Sequence, residues 1–259
     1  MSKNKSFIAI IPARYSSSRF PGKPLAKIGG EEMIVRVCRR VTEAGIPVAV
    51  ATDDERIKEC VENAGFKAVM TSPDHQSGTD RVYEAFCILG KPADVVINVQ
   101  GDEPFIAPSQ IKALMGCFDD DSTHIATLVR EFDPSLGFEA LFDPNLVKVV
   151  RGEKGNALYF SRSIIPYIRG VEWQDWLSRH TFFTHVGIYA YCYETLGEIT
   201  SLKRSPLEKA ESLEQLRWLE NGYRVSTAIT SEPTIGIDTP ADLEAAEEWL
   251  KAKNDPQGK

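Results

Sequence analysis

Phe7-Ile8-Ala9-Ile10-Ile11, followed within three residues by Arg14-Tyr15-Ser16-Ser17-Ser18-Arg19-Phe20-Pro21-Gly22-Lys23-Pro24-Leu25, is the stretch on which the fold turns. The unbroken apolar run reads as a strand buried on both faces, as strands inside parallel sheets are. The loop after it is basic. Arg14, Arg19, Lys23 and Lys27, with no acidic residue among them, carry a local charge of +4 in a chain whose net charge is −7. At the carboxyl end of a first parallel strand, such a loop offers backbone N–H groups and fixed cations to an anion, and a polyphosphate suits it. A solvated surface loop is the alternative. Against it stand Pro21 and Pro24, which fix φ on either side of Gly22 and so constrain where Lys23 points. No Gly precedes Gly22 by five residues, and Pro24 comes directly after Lys23, so the loop is not a Walker A motif and an ordinary P-loop kinase or ATPase is unsupported.

The 259 residues can bury a substantial core in one large α/β domain, or in one domain with a smaller appendage. With an acidic balance the chain lacks the extended basic face that a nucleic-acid polymer requires, while small anionic ligands remain compatible with a local patch. Cys38, Cys60, Cys87, Cys117 and Cys192 are odd in number, lie far apart and form no CxxC motif or metal spacing with His. Together with the lack of a secretory signal before Ser6, this predicts reduced thiols and a cytoplasmic protein. No apolar run approaches the ~20 residues that span a bilayer, so no membrane partner is expected.

From the opening strand onward, the pattern predicts a helix carrying Met33, Ile34, Val37, Cys38 and Val41 up to Gly45, and a strand Val48-Ala49-Val50-Ala51. Next come a helix capped by Thr52 or Asp53 that ends near Asn63 before Gly65, and a strand Lys67-Ala68-Val69-Met70. This β-loop-α-β-α-β order implies right-handed crossovers and a mostly parallel sheet. Ser77 or Thr79 is a cap for a further helix reaching Leu89, and Arg81 inside it has a route to the cleft. The strand Val95-Val96-Ile97-Asn98-Val99 delivers Gln100-Gly101-Asp102-Glu103-Pro104 at its carboxyl end, where α/β nucleotide enzymes place metal ligands. A β-turn explains the same residues more blandly, but the basic loop on the first strand favours a site.

A helix at 108–118 and a strand at 125–129 come next, and then segment 131–192 changes texture, with Pro, Gly, aromatics and strands at 147–150, 157–160 and 184–193. An antiparallel or mixed extension is expected there, with Trp173 and Trp176 in a loop, either at an interface or packed on the sheet. One helix is predicted from Pro206 to Asn221, with Ser205 as N-cap and Gly222 as C-cap, then a strand at 225–229 and a final amphipathic helix that Asp238 is placed to cap. Only the last few residues read as disordered.

Several motifs, in order and at consistent spacing, carry a resemblance. They are Ile11-Pro12-Ala13-Arg14-Tyr15 with Pro21-Gly22-Lys23-Pro24, Ala51-Thr52-Asp53, Asp74-His75-Gln76-Ser77-Gly78-Thr79 and Asn98-Val99-Gln100-Gly101-Asp102-Glu103-Pro104. Further along stand Ala157-Leu158-Tyr159-Phe160-Ser161-Arg162, His185-Val186-Gly187-Ile188-Tyr189, Leu213-Glu214-Gln215-Leu216-Arg217 and Asp238-Thr239-Pro240. The chain resembles the 3-deoxy-manno-octulosonate (KDO) cytidylyltransferases, or CMP-KDO synthetases, over nearly its whole length. The resemblance implies a GT-A-like nucleotidyltransferase fold, a mostly parallel central sheet with helices on both faces and a smaller mixed-sheet dimerisation extension at about 131–192, in one domain spanning 1–259. It implies a homodimer that converts CTP and KDO to CMP-KDO and pyrophosphate for lipopolysaccharide biosynthesis. By the same analogy, Ala13, Arg14 and Lys23 hold the triphosphate, Ser77, Arg81 and Gln100 help to seat the nucleotide, and Asp102 and Asp238 bind Mg²⁺. Gln100, Arg162, His185, Tyr189, Glu214 and Gln215 meet the sugar acid, and Arg14, Lys23, Asp102 and Asp238 form the catalytic set.

The implied chemistry accounts for these residue types. An anomeric hydroxyl attacks the α-phosphorus in line, so the site must neutralise triphosphate charge and lower the proton affinity of a sugar hydroxyl, which cations and a divalent metal respectively do. Glu31-Glu32 and Cys192 depart from the family pattern outside this ligand set, and the loop 168–181 is idiosyncratic. Rival readings are a cytidylyltransferase for sialic acid or 8-amino-KDO, a sugar-1-phosphate nucleotidyltransferase, whose Gly-x-Gly-Thr-Arg loop is absent, and a catalytically silent nucleotide-binding protein.

Overall fold

The computed structural model describes residues 5–16 and 19–254. Ser17 and Ser18 of the basic loop, and the tail 255–259 expected to be disordered, lie outside them. The chain begins with β1 (Phe7–Ala13), the short pair β2 (Lys27–Ile28) and β3 (Glu31–Glu32), α1 (Met33–Thr42), β4 (Val48–Thr52) and α2 (Glu55–Asn63). It continues with β5 (Lys67–Met70), α3 (Gly78–Ile88), β6 (Val95–Asn98), α4 (Pro108–Gly116), β7 (Ile125–Glu131), β8 (Lys148–Arg151), β9 (Ala157–Ser161) and α5 (Trp176–Arg179). After these come β10 (Phe183–Cys192), α6 (Tyr193–Thr200), α7 (Pro206–Glu211), α8 (Gln215–Glu220), β11 (Val225–Ile229) and α9 (Pro240–Asn254). Two compact units result, one built from 5–111 with the chain from Pro233 onward and the other from 112–232.

In the first unit β1 pairs in parallel with β6 on one side and β4 on the other, and β4 pairs in parallel with β5. Its central place explains its composition, since Ile8, Ala9, Ile10 and Ile11 are all buried. α1 buries Met33, Ile34, Val37, Cys38 and Val41, the stripe that the helical spacing predicted. The cap of α2 falls one residue later than expected. Asp54 accepts from the Arg56 N–H at 3.0 Å, because the Asp53 carboxylate is already engaged by Arg81. Ser77 caps α3 as predicted, accepting from Asp80 N–H at 3.1 Å.

The last helix corrects a second expectation. Asp238 does not cap α9. The Asp242 carboxylate accepts from the N–H groups of Asp238 and Thr239 at 3.0 and 2.8 Å, while the Thr239 hydroxyl accepts from Asp242 N–H at 3.2 Å. This reciprocal capping leaves the Asp238 carboxylate available for another partner. Ala246 on α9 packs with Ile237, Ile28 and Met33 in one apolar cluster.

The second unit carries a mixed sheet, whose strands β8, β9 and β10 fall within the segment 131–192 expected to form an antiparallel or mixed extension, while β7 and β11 lie largely outside it. β7 is parallel to β11 and antiparallel to β10, and β8 is antiparallel to both β9 and β10. Trp173 and Trp176 lie in a short helical turn and in α5, not in a loop. Trp176 joins Phe132, Phe138, Leu141 and Phe182 in a core, whereas Trp173 is exposed. The single helix predicted from 206 to 221 is two, α7 and α8, broken at Ser212, whose φ of 51° is left-handed. α6 had no counterpart in the sequence reading. No helix among the described residues is long and apolar enough to cross a membrane.

Candidate active site

The first unit gathers Lys23, Asp102 and Asp238. Gly22 adopts φ 73°, a conformation open to glycine, and starts the turn Lys23–Leu25; its N–H donates to the Tyr15 carbonyl at 2.9 Å and closes the basic loop. A Cβ at Gly22 would meet the Tyr15 ring at 3.2 Å, and that ring is covered in turn by the Arg56 guanidinium, 3.4 Å from its centroid. The backbone at Lys23 is therefore held on both sides, by this packed turn and by Pro24. Asp102 lies just past the end of β6, where Gly101 approaches β1 so closely that a Cβ would lie 3.1 Å from the Pro12 carbonyl oxygen. The Asp102 carbonyl accepts from Ile237 N–H at 2.9 Å, which brings the chain before α9 alongside.

Lys23 Nζ donates to Asp102 Oδ2 at 2.7 Å and to Asp238 Oδ1 at 3.2 Å, and its side chain is only 15 % exposed. Arg19 Nη2 reaches the same Asp238 oxygen at 3.1 Å. Sequence reasoning counted Arg19 in the loop charge but gave it no role, because its partner is remote along the chain. Glu103, beside Asp102, has its pKa pushed up to about 7 by burial first and the Asp102 charge second. Its Oε2 is buried without a hydrogen-bond partner among the described residues. No group of three or more His, Cys, Asp or Glu side chains is placed to hold a metal alone among the described residues. Asp102 and Asp238 are nonetheless a hard oxygen pair of the kind that holds Mg²⁺ when substrate phosphates and water complete the shell.

Ala13, Arg14, Ser77, Arg81 and Gln100 also lie in this unit. Ala13 ends β1, and the Arg14 guanidinium donates to the His75 carbonyl, joining the basic loop to the segment ahead of α3. Ser77 is occupied as the α3 cap. Arg81 corrects the expectation of a cleft-facing side chain: it is fully buried, donating to Asp53 Oδ2 and Thr71 Oγ1, both at 2.6 Å. Burial lowers its pKa, and Asp53 opposes that shift.

The residues assigned to the sugar acid, apart from Gln100, lie in the second unit. The β10–β7 register breaks between Val186 and Tyr189, at Gly187 and Ile188. In a regular strand residues four apart are separated by about 13 Å, yet the His185 and Tyr189 ring centroids lie 5.2 Å apart. The bulge draws them together. His185 Nε2 lies 2.9 Å from Thr127 Oγ1, whose hydroxyl donates to the Ile188 carbonyl at 2.7 Å. With its one proton so directed, Thr127 must accept from His185, which assigns the Nε2–H tautomer from the network and leaves Nδ1 as an acceptor. Packing between Phe160 and Tyr189 holds the ring neutral, and burial pulls its pKa down to about 3.

Burial raises the Tyr189 pKa, with Tyr191 and Glu214 adding to the shift, and the Tyr189 hydroxyl is buried with no hydrogen-bond partner among the described residues. Glu214 accepts from Arg217 Nη2 at 2.7 Å, and Gln215, its neighbour at the start of α8, is buried. Arg162 has a set of contacts of its own. Its guanidinium donates to the carbonyls of Glu211, Pro144 and Ser212 at 2.6, 2.7 and 3.4 Å, while its N–H donates to the Glu211 carboxylate at 2.8 Å. It also lines a cavity of about 780 Å³ with Phe138, Tyr167, Trp173 and Trp176, which none of His185, Tyr189, Glu214 and Gln215 enters. Glu211, which accepts from Ser161 Oγ at 2.7 Å as well, is the hub of this arrangement.

A basic turn after β1, one aspartate after the parallel strand β6 and a second just ahead of α9 meet in the first unit, an arrangement suited to an α/β nucleotide-handling site. The family model described as Cytidylyltransferase matches residues 8–229. The chain is 57 % identical over 247 residues to the 3-deoxy-manno-octulosonate cytidylyltransferase of Phocaeicola vulgatus, covering 95 % of this chain and 98 % of that one. It is 56 % identical over 248 residues to the protein of the same name from Bacteroides thetaiotaomicron, covering 96 % and 99 %. The solved structure of CMP:2-keto-3-deoxy-manno-octonic acid synthetase complexed with CTP superposes with a TM-score of 0.87 at 42 % identity, over 96 % of this chain and 99 % of that one. Fold and site together are those of a nucleotidyltransferase, an enzyme. The chain belongs to the cytidylyltransferase family and, within it, to the 3-deoxy-manno-octulosonate cytidylyltransferases.

Proposed function

We propose that the protein activates KDO with CTP, releasing pyrophosphate and CMP-KDO for lipopolysaccharide biosynthesis. The observation that carries this reading is the Lys23 ammonium seated between Asp102 and Asp238 beside the basic turn. Lys23, Arg14 and Arg19 supply the positive charge that binds a triphosphate and stabilises the departing pyrophosphate. Mg²⁺ held by Asp102 and Asp238 would neutralise phosphate charge and make the sugar hydroxyl a better nucleophile. No side-chain base is required. Ala13, Ser77 and Gln100 shape the nucleotide seat, and Arg81 acts at one remove by tying α3 to Asp53 and Thr71.

On the sugar side, His185 Nδ1, the Tyr189 hydroxyl, Glu214 and Gln215 offer neutral and charged hydrogen-bonding groups to a polyhydroxylated acid. Arg162 fits a positioning part, because a direct contact with the sugar carboxylate would cost it the bonds that hold Glu211 and Ser212. A homodimer formed through the middle segment is part of the proposal: Leu136, Phe142, Leu158, Tyr167 and Trp173 are exposed apolar groups there. So is a cytoplasmic location, in keeping with five cysteines that form no disulfide.

A pyrophosphate-release assay with CTP, Mg²⁺ and, in turn, KDO, 8-amino-KDO and sialic acid tests the reading, with KDO expected to give the highest kcat/KM. Asp102→Asn should abolish release while CTP still binds. Full activity of that variant would remove Asp102 from the metal site.

A further inference from the structure

An ammonium that touches two carboxylates occupies the place a divalent cation needs if it is to touch the same two oxygens. Lys23 Nζ makes both contacts, at 2.7 and 3.2 Å. Nor is this a loosely parked surface lysine. The left-handed Gly22, Pro24 and the buried side of the turn set its backbone, and the side chain is 15 % exposed. Asp102 and Asp238, joined through the Ile237 N–H to Asp102 carbonyl bond, would face each other as like charges without a cation between them. Lysine and metal are thus alternatives at one seat, and the lysine leaves only if something more anionic claims it. A triphosphate carries that charge and three strong acceptor oxygens per phosphoryl end.

We propose that Lys23 is the resident cation of the carboxylate pair and yields the seat to a divalent metal only when the nucleotide's triphosphate draws it away, so that metal binding is gated by CTP. This rests on the assignment of Asp102 and Asp238 as the metal carboxylates. By linkage, the factor by which CTP raises metal affinity is also the factor by which metal raises CTP affinity. Lys23 is accordingly a positioning residue before the nucleotide arrives and a phosphate ligand afterwards.

Mn²⁺ is the probe, with free ion counted by its paramagnetic resonance in the intact protein at constant ionic strength and without nucleotide. Wild type should bind Mn²⁺ weakly, and Lys23→Met should bind it about tenfold or more tightly. Lys23→Gln, one atom shorter and uncharged but still able to donate from its amide, carries the same test should Lys23→Met not fold by circular dichroism. Arg19→Met removes a positive charge from Asp238 without vacating the seat, and should raise Mn²⁺ affinity far less. Equal gains in the Arg19 and Lys23 variants would overturn the gate, because general electrostatics would then explain both. Mn²⁺ binding to nucleotide-free wild type as tight as to Lys23→Met would also overturn it, while leaving the metal assignment and the proposed reaction standing. If wild type with a non-hydrolysable CTP analogue takes up no Mn²⁺ beyond what the analogue binds without protein, gate and metal assignment fall together.

Discussion

His185 shows how the surroundings of one side chain set its chemistry. With a pKa near 3 in the folded state against 6.5 for the free group, it stays neutral where the unfolded chain would be protonated. Between those values the unfolded state binds the extra proton, so stability falls as pH drops from about 6.5 toward 3 and levels off below. The slope from this residue is at most about 1.4 kcal/mol per pH unit. His185→Gln should flatten that part of a urea-denaturation profile measured against pH. Arg81 is the opposite case, a charge kept in the interior by a partner. Asp53→Ala should cost about 3 kcal/mol by leaving that charge uncompensated, and Asp53→Leu combined with Arg81→Met should recover most of the loss in the same measurement. Neither role was legible in the residue alone. Arg81 lies two residues past the Asp74–Thr79 motif, and its full burial, with Asp53 and Thr71 as partners, emerges only in the fold.

The elements were largely readable, and the exceptions have local causes. α1, α2 and α3 are written in apolar spacing, caps and Gly65, and β1, β4 and β6 in apolar runs too short for helices. The break between α7 and α8 escaped because Leu207, Leu213, Leu216 and Leu219 keep an apolar pattern across it and Ser212 is not a glycine. Arg162 donates to the carbonyls of Glu211 and Ser212, on either side of the left-handed Ser212. A β-branched residue cannot take that conformation cheaply, so Ser212→Val should destabilise by about 1–2 kcal/mol, whereas Ser212→Gly should be close to neutral in chemical denaturation. Should Ser212→Val match wild type, the left-handed conformation at this position carries no cost. The β10 bulge is a similar case: Gly187 marks it in sequence, but the pairing of His185 with Tyr189 depends on the register against β7.

For the molecule as a whole, the exposed Phe142, Leu158 and Tyr167 lead to a solution measurement. Sedimentation should give a dimer, and Phe142→Asp with Tyr167→Asp should shift it to monomer without loss of fold; a monomeric wild type would remove the homodimer from the proposal. The order of residues was enough for the α/β class, most of the elements, the basic turn after β1 and the carboxylate turn after β6. Each of these is encoded in neighbours along the chain, through period, cap and turn chemistry. The meeting of Lys23 with Asp102 and Asp238, 79 and 215 residues away, arises only in three dimensions. So do the interior place of Arg81 and the neutral His185. Burial and pairing between distant residues belong to packing, which no local pattern encodes.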